Sequence, residues 1–366
     1  MEEKIITIAL LPYSKAEILR SKLETKGISC TLENVNLIQG AVATGVKLSI
    51  NASDAMEALP ILDEVLGKIE LIPLRTENTI LVPVDFSRYS LKAASIAIEI
   101  SQKLGAKLLF YHVMPRPDFF SSPYSDVMPF DTGIYDHLKE TEKRADQDFK
   151  KFMTQLASIV GEDVWETLNT EQIVKMGDAE EDILGYTDIH PPRVIVMGIK
   201  SPSKDSGQVM GSTTAGIIYK AKVPVLVIPE DAPILNLASV KKVVYATNFD
   251  DKDFLSIDKL LGLLLPFKTD VTCLHIGKHD QHEWDEAKLS SMSKTLKKNF
   301  KNAKLNCEMV EGDNVLTELE NYIEEKNIDV LALTTHKRNM ITRIFNPGIA
   351  REMVFHLKTP LFVFHA

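Results

Sequence analysis

An internal repeat constrains this chain more than any other feature. The segment NTILVPVDFSRYS, residues 78–90, aligns with KKVVYATNFDDKD, residues 241–253, and sets Asp85 opposite Asn248. LLFYHV, 108–113, aligns with VTCLHI, 271–276, and sets His112 opposite His275, so that both pairs share one offset of 163. Further on, VIVMGIKS, 194–201, aligns with VLALTTHK, 330–337, and VPVLVIP, 223–229, aligns with TPLFVFH, 359–365. Gly198 then faces Thr334 and Pro224 faces Pro360, at an offset of 136. The first copy is therefore the longer one between these blocks, by the difference of the two offsets. The aromatic, Pro- and Ser-rich stretch RPDFFSSPYSDVMPFDTGIYD is expected inside that insertion. The 366 residues hold two copies of one unit, preceded by a segment, 1–72, that belongs to neither.

Each copy alternates short β-branched runs with helical periodicities, the pattern of βαβ units and a mostly parallel sheet. In the first copy, 79–84 is expected as a buried strand. Ser87 is the N-cap of a helix whose face runs Ala93, Ala97, Ile100 and Leu104, and Gly105 stops it. A strand follows over 108–113, then a long amphipathic helix through Leu138, Ala145, Phe149, Phe152 and Leu156. A strand within 166–174, a helix near 179–186, a strand over 194–197, a short helix over 213–220 and a last strand over 223–228 complete five strands. After a linker at 230–237 that contains Pro233, the second copy repeats the order over 240–366. Ahead of both, strands at 5–10, 30–35 and 46–50 with helices at 15–26 and 54–66 read as a βαββα unit. The expected fold is α/β: two tandem five-stranded parallel-sheet domains, 76–230 and 239–366, behind a small α+β domain, 1–72.

Charge and composition exclude several functions. A net charge of -9, from 51 acidic against 42 basic residues, opposes tracking a phosphate backbone, so no nucleic acid is expected. No apolar run approaches the roughly 18 residues of a membrane span, and the densest, 260–267, is interrupted by Pro266. The start, MEEKIITIALLPYSK, carries acids where a secretory signal has bases, which points to a cytoplasmic protein. Cys30, Cys273 and Cys307 are too scattered for a disulfide framework or a CxxC site and read as small buried hydrophobes. His275, His279 and His282 with Asp280 have spacings that would gather ligands on one helical turn. His275 ends a strand, however, and matches His112, so these read as strand-end and loop histidines. G-x-S-x-G, P-loop and dinucleotide fingerprints are all absent, and no catalytic residue is assigned.

In an open parallel sheet, ligands bind beyond the carboxyl ends of the strands where strand order reverses. Asp85 and Gly198 stand at such ends, and the loop after Gly198 leads to Gly211, Ser212 and Thr213, which open a helix. Glycines admit a backbone close to phosphate oxygens, and helix-opening N–H groups with hydroxyls donate to them. Lys200 and Lys204 add charge. A plain turn is the other reading of such a loop.

The run ILVPVDFS, two residues, Ser, two residues, Ala-Ala, followed by LLFYHV, VIVMG, the Gly-Ser loop and PVLVIP, resembles the universal stress protein family in its tandem form. Nucleotide-binding members carry Gly, two residues, Gly, nine residues, then Gly-Ser or Gly-Thr. Gly198, the stretch 202–210 and Gly211-Ser212 fit that pattern, and Ser201 departs from it at the second glycine. The resemblance implies an adenine nucleotide alpha hydrolase-like, Rossmann-like fold and a regulatory, signalling protein of the stress response. Its ligand would be ATP, or AMP or ADP, with magnesium as an optional companion. It places Pro83, Val84, Asp85 and Val113 on the adenosine side, Met197, Gly198, Lys200 and Ser201 along the loop, and Gly211, Ser212 and Thr213 on the phosphates.

The second copy departs further. Asn248 replaces the aspartate, Thr334 and Lys337 occupy the first two glycine positions, and Pro347 stands at Gly211's place, or Gly348 followed by Ile349 after a shift of one. It is expected to be a structural partner that binds no nucleotide, and its TTHKRNMITRIF segment to be a solvated loop. Family members pair through their last strands, which implies an intrachain pseudo-dimer through 223–228 and 361–364, with a homodimer also open. A non-binding scaffold, or a slow magnesium-dependent ATP hydrolase with only Asp205 in the loop to serve it, are the alternatives. The leading segment, 1–72, through AEILRSKLETKGI and LENVN, is similar to a small bacterial signal-transducing domain of unknown function. The protein partner is not specified.

Overall fold

The computed structural model describes residues 5–11, 13–34, 46–51, 76–116, 132–200, 211–233, 239–247, 251–277, 282–301, 303–335 and 358–365, with 54, 57, 58 and 61 singly. The chain divides into two compact units, Met1–Arg75 and Thr76–Ala366. In the first, β1 (Ile5–Leu11), α1 (Tyr13–Thr25), β2 (Cys30–Asn34) and β3 (Val46–Asn51) build an antiparallel sheet in the order β1-β3-β2. Leu19 and Leu23 of α1 share a core with Leu48 and Ile50 of β3. Gly27 follows the helix at φ +81°, a conformation that glycine reaches without a Cβ clash. The second helix expected over 54–66 falls mostly outside the described residues, although Ala58 and Ile61 join this core.

The second unit opens with β4 (Glu77–Pro83), α2 (Arg88–Leu104), β5 (Lys107–Pro115), α3 (Thr132–Val160), α4 (Glu162–Trp165) and β6 (Thr170–Gly177). It continues with α5 (Ala179–Ile189), β7 (Pro192–Ile199), α6 (Ser212–Lys220) and β8 (Val225–Pro229). The second copy supplies β9 (Lys242–Ala246), α7 (Asp251–Leu264), β10 (Asp270–Gly277), α8 (His282–Asn299), β11 (Lys304–Glu311), α9 (Val315–Lys326), β12 (Val330–Thr335) and β13 (Leu361–His365).

All ten strands lie in one sheet, β11-β10-β9-β12-β13-β8-β7-β4-β5-β6. Within each copy the order is third, second, first, fourth, fifth, and every pairing is parallel. The copies join antiparallel through β8 and β13, as the family resemblance implied. Leu226 pairs with Phe362, its own counterpart in the repeat, so a pseudo-twofold axis passes beside that pair.

Helices cover both faces of the sheet, and the strands are accordingly apolar in runs rather than in alternation. All of β8 is buried, and β7 is buried at every position but one. One face carries Phe110, Val196, Tyr245, Phe362 and Phe364 with Phe149 and Phe152 of α3; the other carries Leu81, Ile195, Val225, Leu331 and Val363 with Ile217 of α6 and Leu319 of α9. Burying each such side chain fully contributes about 1.5–3 kcal/mol.

The extra length of the first copy is not confined to the aromatic stretch. β5 ends at Pro115 and α3 begins at Thr132, whereas only 278–281 separate β10 from α8. Helix α3 also has 29 residues against 18 in α8, and α4 follows it with no counterpart described between α8 and β11.

Candidate functional site

Strand order reverses between β4 and β7, so the crevice of the first copy lies outside their carboxyl ends. Pro83, Val84 and Asp85 leave β4 there, Val113 is near the end of neighbouring β5, and Met197 and Gly198 close β7, with Lys200 exposed just beyond. Strands β7 and β8 are parallel, so α6 between them must run back along the sheet. Its opening residues Gly211, Ser212 and Thr213 therefore start at the same carboxyl edge. Topology thus brings 83–85, 198–200 and 211–213 to one edge. Ser201, Lys204 and Asp205 lie outside the described residues. Met197 is buried in the core on the α6 face rather than along an open rim.

The turn after β4 is built by its own side chains. The Ser87 N–H donates to Asp85 Oδ1 at 3.0 Å, and the Ser87 hydroxyl donates to the same oxygen. Phe86 between them takes φ +63°, a left-handed conformation that a non-glycine residue holds only where its surroundings fix it. Its ring supplies that restraint by packing on His112 at 4.2 Å and edge-on against Phe149 and Phe152. Ser87 then caps α2 by accepting from the Ser90 N–H at 3.1 Å. Burial acts to raise the Asp85 pKa, but hydrogen bonds from Ser87 and Tyr89 outweigh it and hold the carboxyl below the ordinary range.

His112 is a clamp between strands. Its Nδ1–H donates to the Val84 carbonyl at 2.8 Å, while the Val84 N–H donates to the Tyr111 carbonyl at 2.9 Å. In the second copy, His275 Nδ1–H donates to the Thr247 carbonyl at 3.0 Å, and the Thr247 N–H donates to the Leu274 carbonyl at 2.9 Å. The repeated histidine therefore fastens the first strand's end to the second strand in both copies. His279 and Asp280 lie outside the described residues.

Gly198 acts differently from a phosphate neighbour. A Cβ added to it would stand 2.1 Å from the Tyr89 carbonyl oxygen and 2.9 Å from the Ser90 nitrogen. The first turn of α2 rests directly on the β7 backbone, and glycine at 198 is what lets it do so. Gly211 is the opposite case, since a Cβ added there would have nothing within 4 Å. It is the N-cap of α6 and makes no side-chain capping bond, while Ser212 is exposed beside it. The two helices that start at this edge therefore differ: Ser87 caps α2 by accepting from the Ser90 N–H, whereas among the described residues no side chain caps the first turn of α6.

At the matching strand ends of the second copy, a buried polar network joins β9, β12 and α7. Tyr245 donates to Asp253 Oδ1 at 2.7 Å, Thr247 donates to Asp253 Oδ2 at 2.6 Å, and the Tyr245 and Thr334 hydroxyls are 2.6 Å apart. All four residues are buried. Burial first, and the Asp253 charge second, push the Tyr245 phenol far above its ordinary pKa. The repeat offsets put these residues where the first copy has Val82, Ser90, Val84 and Gly198. Polar residues at all four positions are the sequence signal for this buried network, whereas the glycine motif by itself points only to Thr334. Asn248 and 336–357 lie outside the described residues. Among the described residues no cluster of His, Cys, Asp and Glu is arranged to hold a metal, and no helix is long and apolar enough to cross a membrane.

A doubly wound sheet, parallel within each copy and with its switch point between β4 and β7, defines the class: an α/β protein of the Rossmann-like type. Residues 77–229 match the model of the universal stress protein family. The second unit has the fold of a universal stress protein from Archaeoglobus fulgidus, at a TM-score of 0.59 and 15% identity over 79% of this chain and 98% of that one. A protein of unknown function from Pseudomonas aeruginosa is similar at a TM-score of 0.50 and 12% identity, over 79% and 92%. No curated protein matches the chain in sequence.

Proposed function

We propose that the first copy binds an adenine nucleotide, ATP foremost with AMP or ADP as lesser ligands, and that binding regulates association with a protein partner in a stress response. The match of residues 77–229 to the universal stress protein family model supports this reading. The observation that carries it is the first turn of α6, opened by Gly211, Ser212 and Thr213 at the switch-point edge with no side-chain cap among the described residues. Pro83, Val84, Asp85 and Val113 are assigned to the adenosine side, Lys200 and Ser201 to the loop, and Gly198 to seating α2 beneath it. Magnesium would be an optional companion of the bound phosphates. The buried network of Tyr245, Thr247, Asp253 and Thr334 supports the companion proposal that the second copy, over 239–366, binds no nucleotide and serves as the pseudo-dimer partner of 76–230.

Gly211→Val tests the site cleanly, because a Cβ there meets no protein atom and φ -54°, ψ 141° is open to valine. In calorimetric titration the wild type is expected to bind ATP and the variant to lose at least about tenfold in affinity, or about 1.4 kcal/mol, at an unchanged thermal midpoint. Equal affinity would remove the phosphates from α6. A wild type that neither binds adenine nucleotides nor releases one on denaturation would leave the scaffold reading in place.

A further inference from the structure

Cys273 on β10 and Cys307 on β11 are register partners on adjacent parallel strands. Such partners stand roughly 4.8 Å apart, inside the range of roughly 4.4–6.8 Å between Cα atoms over which a disulfide closes. Register partners also send their side chains to the same face of the sheet, here the face that α8 covers with Met292 and Leu296. Cys273 is fully buried, whereas Cys307 is partly exposed on the outermost strand. The Cys307 thiol is pulled down to about 7, chiefly because the Cys273 S–H donates to it; burial opposes this, and Ser293 and Lys297 of α8 assist. Holding that proton, together with burial, pushes the Cys273 thiol up. Of the two sulfurs, the accessible one is therefore favoured as the thiolate and the enclosed one as the thiol.

We propose that Cys307 and Cys273 form an oxidation site, at which Cys307 reduces a hydroperoxide and Cys273 then closes an intrachain disulfide between β11 and β10. In the first step the Cys307 thiolate attacks a peroxide oxygen. The S–O bond forms, the O–O bond breaks, hydroxide or alkoxide leaves, and sulfur is oxidised to the sulfenic acid. In the second, the Cys273 sulfur attacks the Cys307 sulfur. The S–S bond forms, the S–O bond breaks, and hydroxide leaves as water with the Cys273 proton. Two thiols and one hydroperoxide give one disulfide, one water and one water or alcohol. The product pins the outermost strand of the second copy to its neighbour.

Cys30 is the internal control, since it lies in the first unit, where burial foremost raises its pKa. Full-length protein treated with hydrogen peroxide at pH 7 is expected to lose two hydrogen masses, yield a Cys273–Cys307 linked peptide under non-reducing digestion, and regain both thiols with dithiothreitol. Iodoacetamide is expected to alkylate Cys307 at least about tenfold faster than Cys30. Cys307→Ser, on the outermost strand, leaves Cys273 reduced under peroxide, and Cys273→Ser halts at a Cys307 sulfenic acid that dimedone traps. Faster oxidation of Cys30 than of Cys307, or oxidation of Cys307 beyond the sulfenic acid without a linked peptide, overturns the proposal. The linked peptide is read on the unsubstituted chain, so the outcome does not depend on how either variant folds.

Discussion

At the scale of single residues, the turn from Asp85 to Ser90 was legible because its chemistry is local. An Asx-type acceptor, a serine cap and a helical run lie within a few positions of one another. The same hydrogen bonds give Asp85 a pH signature. Its folded pKa lies below the roughly 3.9 of an unfolded aspartate, so its ionisation stabilises the fold above that value, and the contribution fades as pH falls through the folded pKa. In urea titrations, wild type is expected to exceed Asp85→Asn by a constant margin from pH 7 down to about 5, and the margin to shrink below about 4. A margin independent of pH would mean that the carboxylate charge contributes nothing. The thiol pair was not legible. Cys273 and Cys307 meet only because the crossover through α8 sets the register of β10 against β11, and nothing in their spacing along the chain encodes that.

Among elements, strands and helices of the second unit fall close to their expected places, because burial on both faces writes continuous apolar runs and the helices carry clear stops. Helix α2 ends at Gly105, φ +57°, as its sequence indicates. The contact between α2 and β7 shows where reading by motif stops. A glycine at 198 is visible in the sequence, but whether its missing Cβ makes room for phosphate or for the next helix depends on packing between elements. Gly198→Ala places a methyl against the backbone of Tyr89 and Ser90, atoms that move only if the helix does. A loss of about 1–3 kcal/mol is expected, read as a lower urea midpoint at unchanged slope. An alanine variant as stable as wild type would show that α2 can shift freely. In the second copy, Thr334 takes this position and its hydroxyl meets that of Tyr245, which bonds in turn to Asp253.

On the scale of the molecule, the repeat offsets foretold two sheets of like order, and the register at Leu226 and Phe362 joins them into one. Strand β13 sits at the centre of that sheet, hydrogen-bonded to β12 on one side and β8 on the other. Deleting 355–366 removes it and bares two long apolar edges, which invite pairing with other chains. The truncated protein is expected to associate or precipitate in size-exclusion chromatography; a soluble monomer would show that the seam is dispensable. Two counterparts facing each other across an axis form a contact that two separate copies of one domain could make by themselves. Joining them in one polypeptide turns an encounter between molecules into one within a molecule, so the assembly no longer dissolves on dilution. Once the tether guarantees a partner, the partner has only to keep its seam. Its first and fourth strands are then free to join α7 through buried tyrosine, threonine and aspartate, as they do here.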